Sequence, residues 1–203
     1  MTTARRRAIV AATLLAFAAP FGVARAQDGS IGSQTGKDTI AVATTEVDGA
    51  RAFDFEWSLH RQSGGVVDHR NIANAAARCT DCRATSIAFQ VVLVTGSPSE
   101  LKPHNQAVAI NDQCTRCVVY AGARQFVRVV PEKTSITRDG LYTLADVRRD
   151  LDALEGQDLD VTALTAAVEA QEARVLQVLT EELVTSGKRS SPRDRDDNQD
   201  DDG

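Results

Sequence analysis

One short pattern occurs twice in this chain, 35 positions apart, and it holds every cysteine. His69 precedes Cys79-Thr80-Asp81-Cys82 and His104 precedes Cys114-Thr115-Arg116-Cys117, so both copies read H-x9-C-T-x-C. At that offset residues 69–95 and 104–130 share eight identities in 27 positions, including Ala88/Ala123, Gln90/Gln125, Val92/Val127 and Val94/Val129. With one residue of slip, N-x-A-x-A at Asn71 matches N-x-A-x-A at Asn105. The fold must therefore accommodate one structural unit twice, with sulfur at the same place in each copy.

The Val and Ile content after each CxxC predicts strands. Each unit then reads as a hairpin whose turn carries the cysteines, although the Ala and Gln content leaves a strand followed by a helix open. Thr39–Val47 reads as a strand. Phe53, Phe55, Trp57 and Leu59 alternate with Asp54, Glu56, Ser58 and His60, which predicts a half-buried strand with its aromatics toward the core. Together these segments predict an α+β fold, an antiparallel sheet built around the two hairpin units and followed by two C-terminal helices. Arg138-Asp139-Gly140 reads as a turn, and Thr143 with Asp146 as a cap for a helix over 144–154 that Gly156 stops. Asp160 can cap a second helix over 161–184, where Leu164, Val168, Val175 and Leu179 recur at helical steps. The single domain spans 39–185.

The flanks carry no fold signal. Residues 1–26 read as a secretory signal: Arg5-Arg6-Arg7, an apolar run, then Ala24-Arg25-Ala26. The run is interrupted by Pro20 and Gly22 and falls short of the roughly 20 residues of a membrane span, so cleavage is expected and no stable span after it. Residues 27–38 read as a flexible linker, and 186–203 as a disordered acidic tail. The signal holds four of the 23 basic residues and none of the 28 acidic ones, which leaves a mature net charge of −9. That balance argues against nucleic acid as a partner. The expected location is secreted or cell envelope, with an unknown protein or envelope component as partner.

Three chemistries suit the cysteines. Outside the cytosol an even number in close pairs points to disulfides, and the duplication favours Cys79–Cys82 with Cys114–Cys117. Alternatively, Cys79, Cys82, Cys114 and Cys117 are the ligands of a four-thiolate zinc site, with His69 and His104 as substitutes. Third, one CxxC is a redox dithiol, which needs an activated thiolate such as one at a helix N-terminus. His69 and His104 read first as packed or hydrogen-bonded at equivalent places in the units, His60 as solvated, and Asp54 with Glu56 as exposed strand charge. No H-E-x-x-H, G-x-S-x-G, P-loop or G-x-G-x-x-G occurs. The expected function is an exported, non-catalytic structural or interaction protein without a cofactor. A zinc-binding or metalloprotease-related factor is the alternative, and a thiol oxidoreductase the third.

The run Phe53-Asp54-Phe55-Glu56-Trp57, the two C-T-x-C motifs, Ile87–Val94 and Asn105–Asp112 together resemble a family of uncharacterised exported proteins of high-GC Gram-positive bacteria with duplicated CxxC units. Some of those relatives carry a peptide zinc metalloprotease label. The resemblance covers roughly residues 50–185 and implies export and a shared scaffold. The protease label does not carry over, because the H-E-x-x-H helix it requires is missing here.

Overall fold

The computed structural model describes residues 38–186. The signal at 1–26, nearly all of the linker at 27–38 and nearly all of the tail at 186–203 lie outside the described residues.

Four strands form one sheet in chain order: β1 (Thr39–Thr45), β2 (Arg51–Ala77), β3 (Arg83–Asn111) and β4 (Val118–Val130). Every neighbouring pair is parallel. The expected antiparallel sheet of hairpins is therefore corrected: each CxxC turn leads the chain onward to a parallel neighbour instead of folding a strand back beside itself.

A straight strand with the 27 residues of β2 would run about 90 Å. Yet Asn71 of β2 donates to the carbonyl of Ala88 at 3.1 Å, and Ala88 pairs with Glu56, also in β2. The strand must double back. It does so around Gly64 and Gly65, whose φ of 51° and 72° lie in the left-handed region that glycine tolerates, and there the pairing with β3 slips. Gly96, with φ 81°, lies at the matching bend of β3. Each long strand is thus an arch of two limbs, 51–62 with 66–77 and 83–95 with 98–111, whose inner faces meet through side chains. Successive arches stack as coils of a narrow solenoid. Arg51 faces Arg83 and Arg83 faces Val118, so the coil steps are 32 and 35 residues.

The duplication explains the parallel arrangement. In a parallel stack in register, each residue lies over its counterpart one repeat away. Ala73 then pairs with Ala107, Asn71 with Asn105, and Gln90 with Gln125. A hairpin would have opposed unlike residues. Buried alanines (Ala41, Ala73, Ala75, Ala84, Ala88, Ala123) fill the interior between the limbs, with Val67, Val92 and Val94 toward the bend.

The outer face of the first limbs is the apolar one. Phe53, Phe55 and Trp57 pack with buried Ile87, Phe89, Val91, Tyr120 and Phe126 in one cluster with the helices, so the aromatics do face a core, as the alternation predicts. Helix α1 (Arg138–Asp152) adds Leu144, Val147 and Leu151; α2 (Val161–Glu181) adds Leu164, Val168, Val175 and Leu179. Asp160 caps α2 through the amide of Ala163 at 2.8 Å, as expected. The first helix starts earlier than the sequence suggests, because Thr137 caps it by accepting from the Gly140 amide at 3.0 Å. Gly140 is a packing residue rather than a turn residue: a Cβ there would lie 2.7 Å from Ile136 Cγ2 and from Glu182 Cβ. A two-stranded antiparallel ribbon, β5 (Thr134–Ile136) with β6 (Leu183–Thr185), ties off the helical pair and ends α2 before residue 184.

Candidate functional site

The turns 78–82 and 112–117 lie one above the other at one end of the solenoid. Backbone hydrogen bonds hold them there: the Asp81 amide donates to the Thr115 carbonyl at 2.8 Å, and the Thr115 amide to the Cys79 carbonyl at 3.2 Å. Thr80 and Thr115 form an isolated parallel bridge. The turn after β1 joins the same stack, its Gly49 amide donating to the Thr80 carbonyl at 2.9 Å. Asp81 and Arg116 occupy the same position in their turns with φ of 57° and 55°. They also pair through a forked guanidinium–carboxylate contact, and the Arg116 hydrogen bonds hold the Asp81 carboxyl below its usual range.

Stacked turns converge the sulfurs. Cys79 bonds to Cys82 and Cys114 to Cys117, with Cα–Cα separations of 6.1 and 5.9 Å. Between turns, Cys82 Sγ lies 3.2 Å from Cys117 Sγ and 3.7 Å from Cys114 Sγ. All four sulfurs lie within 4.8 Å of one another. Cys79 and Cys82 are buried, and Cys114 and Cys117 half-buried, against Ala75, Ala77, Ala84 and Val119. The turns join strand to strand, so the cysteines do not sit at a helix N-terminus, the setting that the redox dithiol reading asked for.

The histidines are not part of this cluster. His69 lies ten residues up its limb from Cys79, about 33 Å of extended chain, at the bend end of the arch. It is buried, its Nε2 is 3.1 Å from Gln62 Oε1, and its ring centroid is 5.3 Å from that of His60. Among the described residues, the group of possible metal ligands holds the four cysteines and neither His69 nor His104. The two histidines are also not equivalent. In the second limbs the register follows the slipped match, so His69 pairs with Pro103 and His104 with Arg70. The one-residue shift moves a side chain to the opposite face: His69 points inward, and His104 lies exposed in a shallow depression with Asp68, Arg70 and Lys102. His60, read as solvated, is half-buried beside His69 instead. Asp54, read as exposed charge, is half-buried and accepts from the Val42 amide of β1, and its burial pushes its carboxyl up from the usual value.

What the sequence reading missed is the polar interior. Asn71 Nδ2 donates to Asn105 Oδ1 at 2.8 Å, and Gln125 Nε2 to Gln90 Oε1 at 2.7 Å. Each side chain also crosses to the facing limb: Asn105 to the Ala123 carbonyl at 3.2 Å, Gln90 to the Arg70 carbonyl at 3.2 Å, Gln125 to the His69 carbonyl at 2.9 Å. Identical amides at the repeat offset were the available signal, since stacked amides can donate to one another along a coil axis. Asn71 Oδ1, at the start of its stack, is buried without a hydrogen-bond partner among the described residues.

The second limb of the last arch is different in kind. Glu100–Asn111 pairs with β2 on one side, but β4 pairs only as far as Thr95. Among the described residues its other edge is unpaired, and all of it is exposed except half-buried Val108.

No family model, curated protein or solved structure matches this chain. Among the described residues, no helix is long and apolar enough to cross a membrane.

Proposed function

We propose that this chain is an exported, non-catalytic structural or interaction protein, secreted or held in the cell envelope, and that it acts as a disulfide-pinned solenoid. The observation that carries the reading is the pairing of all four cysteines inside two stacked turns. Closed pairs of this kind suit an oxidising compartment, where disulfides form and persist, and the export signal over 1–26 and the resemblance to an exported family agree with it. The edge at 100–111, unpaired among the described residues, supports the interaction half of the reading. It offers a row of backbone donors and acceptors to an extended segment of a protein or envelope partner.

The experiment is the intact mass of the protein recovered from the culture medium and envelope without reductant. The expected mass is that of a chain beginning at Gln27 and lacking four hydrogens. A full-length chain with four alkylatable thiols overturns the proposal.

A further inference from the structure

The disulfide reading explains each pair of cysteines separately. It leaves open what four sulfurs in one cluster do when the bonds are reduced. We propose that the reduced cysteines form one tetrathiolate site for a zinc-class divalent cation, bridging two coils, so that the turn stack has two alternative closed states: two disulfides or one metal ion. This goes beyond the structural role proposed above and does not depend on it.

The geometry is what a tetrahedral ion asks for. A metal–sulfur bond of about 2.3 Å places the corners of the tetrahedron about 3.8 Å apart. The contacts between turns are already 3.7 Å for Cys82–Cys114 and 3.2 Å for Cys82–Cys117. Opening the two S–S bonds leaves each pair to spread within its own turn, in a cluster that nowhere exceeds 4.8 Å. The relative position of the turns does not rest on sulfur alone, although Cys117 Sγ lies 3.0 Å from the Cys79 carbonyl. The Asp81–Thr115 and Thr115–Cys79 backbone bonds, the Thr80–Thr115 bridge and the Asp81–Arg116 ion pair hold it. The donor set is therefore organised across coils before a metal arrives. Four thiolates are soft donors that select zinc-like ions over magnesium or calcium, and the buried Cys79 and Cys82 limit access of competing water.

The chemistry balances with a dithiol reductant. Each disulfide takes up two electrons and two protons while one reductant molecule closes to its own cyclic disulfide, so two are consumed per chain. Binding of the dication then releases the four thiol protons and leaves a site of net charge −2.

The test is cobalt(II) titration of the full chain, reduced and kept anaerobic, followed by displacement with zinc(II). The expected result is one ion per chain with the absorption of a tetrahedral tetrathiolate, four protons released, and no binding to the oxidised protein. C114S/C117S, which leaves the first turn complete, should lower affinity by at least about 100-fold. Two ions per chain, unchanged affinity in that variant, or no binding by the reduced chain, folded or not, each overturns the proposal. The native-mass experiment reads the exported state alone, so the two proposals fail separately.

Discussion

Asn71 and Asn105 stand one coil apart in the solenoid, and Asn71 Nδ2 donates to Asn105 Oδ1 at 2.8 Å while also reaching the Ala88 carbonyl on the facing limb at 3.1 Å. The same residue type in both copies of the repeat nevertheless has unequal weight. Asn71 is fully buried; Asn105, in the last coil, is exposed. Truncation to alanine at 71 strands a buried carbonyl and should cost about 2 kcal/mol, whereas the same change at 105 should cost under about 1 kcal/mol. Asn71→Asp, which buries a charge, should be worse than either. Urea unfolding of the three variants checks the order.

Phe89 is completely buried, with Trp57 and Phe126 at ring-centroid distances of 6.0 and 6.1 Å. It joins the solenoid to the helical pair. Phe89→Ala should destabilise by about 3–5 kcal/mol, and hydrogen exchange should show α1 and α2 losing protection before the stacked strands do.

Gly140 tests packing against propensity. Alanine is the better helix former by about 1 kcal/mol, but its Cβ would meet Ile136 and Glu182 at 2.7 Å and Val178 Cγ1 at 3.2 Å. Gly140→Ala should therefore lower the melting temperature, with a net cost of about 1–3 kcal/mol. A rise in melting temperature would show that the β5–β6 ribbon yields.

Each disulfide closes a ring over a sequence separation of three. The chain-entropy relation assigns such a ring about 2 kcal/mol, against about 4.7 for a 100-residue loop. Replacing both cysteines of one turn by alanine should thus leave a folded protein with a modestly lower urea midpoint. Limited proteolysis should show new cleavage at the altered turn.

Asp54 gives a pH signature. Burial raises its carboxyl above the ordinary aspartate value, against the opposing hydrogen bond from Val42, and burial also raises neighbouring Glu56. For an acid whose folded pKa is raised, the folded state prefers the protonated form. Its favourable contribution is then lost as pH climbs from the unfolded value through the folded one. Asp54→Asn keeps an acceptor for Val42 and cannot ionise. The variant should gain stability relative to the parent as pH rises from about 4 toward neutrality, and unfolding midpoints that run parallel over that range would refute the assignment.

Much of this architecture is present in the chain as pattern. The aromatic alternation over Phe53–Trp57 identifies the face that meets the core, although Leu59, next in the same alternation, is exposed. The apolar steps in 161–184 together with Asp160 identify α2 and its cap. The one-residue slip that aligns Asn71 with Asn105 is also the pairing register of the second limbs. The C-T-x-C repeat marks the turns and pairs each cysteine with a near neighbour.

Local pattern determines periodicity and face, because these depend on side chains a few residues apart. It does not determine direction, because a strand has the same period of two whether its neighbour runs parallel or antiparallel. Only the tertiary structure decided that the chain bends at Gly64–Gly65 and again at Gly96, between the copies, and climbs from one coil onto the next. The reason is physical: stacking in register lets Asn71 donate to Asn105 and Gln125 to Gln90, and it packs Ala on Ala between limbs. That long-range choice also sends His69 inward and His104 outward, and it gathers four sulfurs from two distant turns into one cluster.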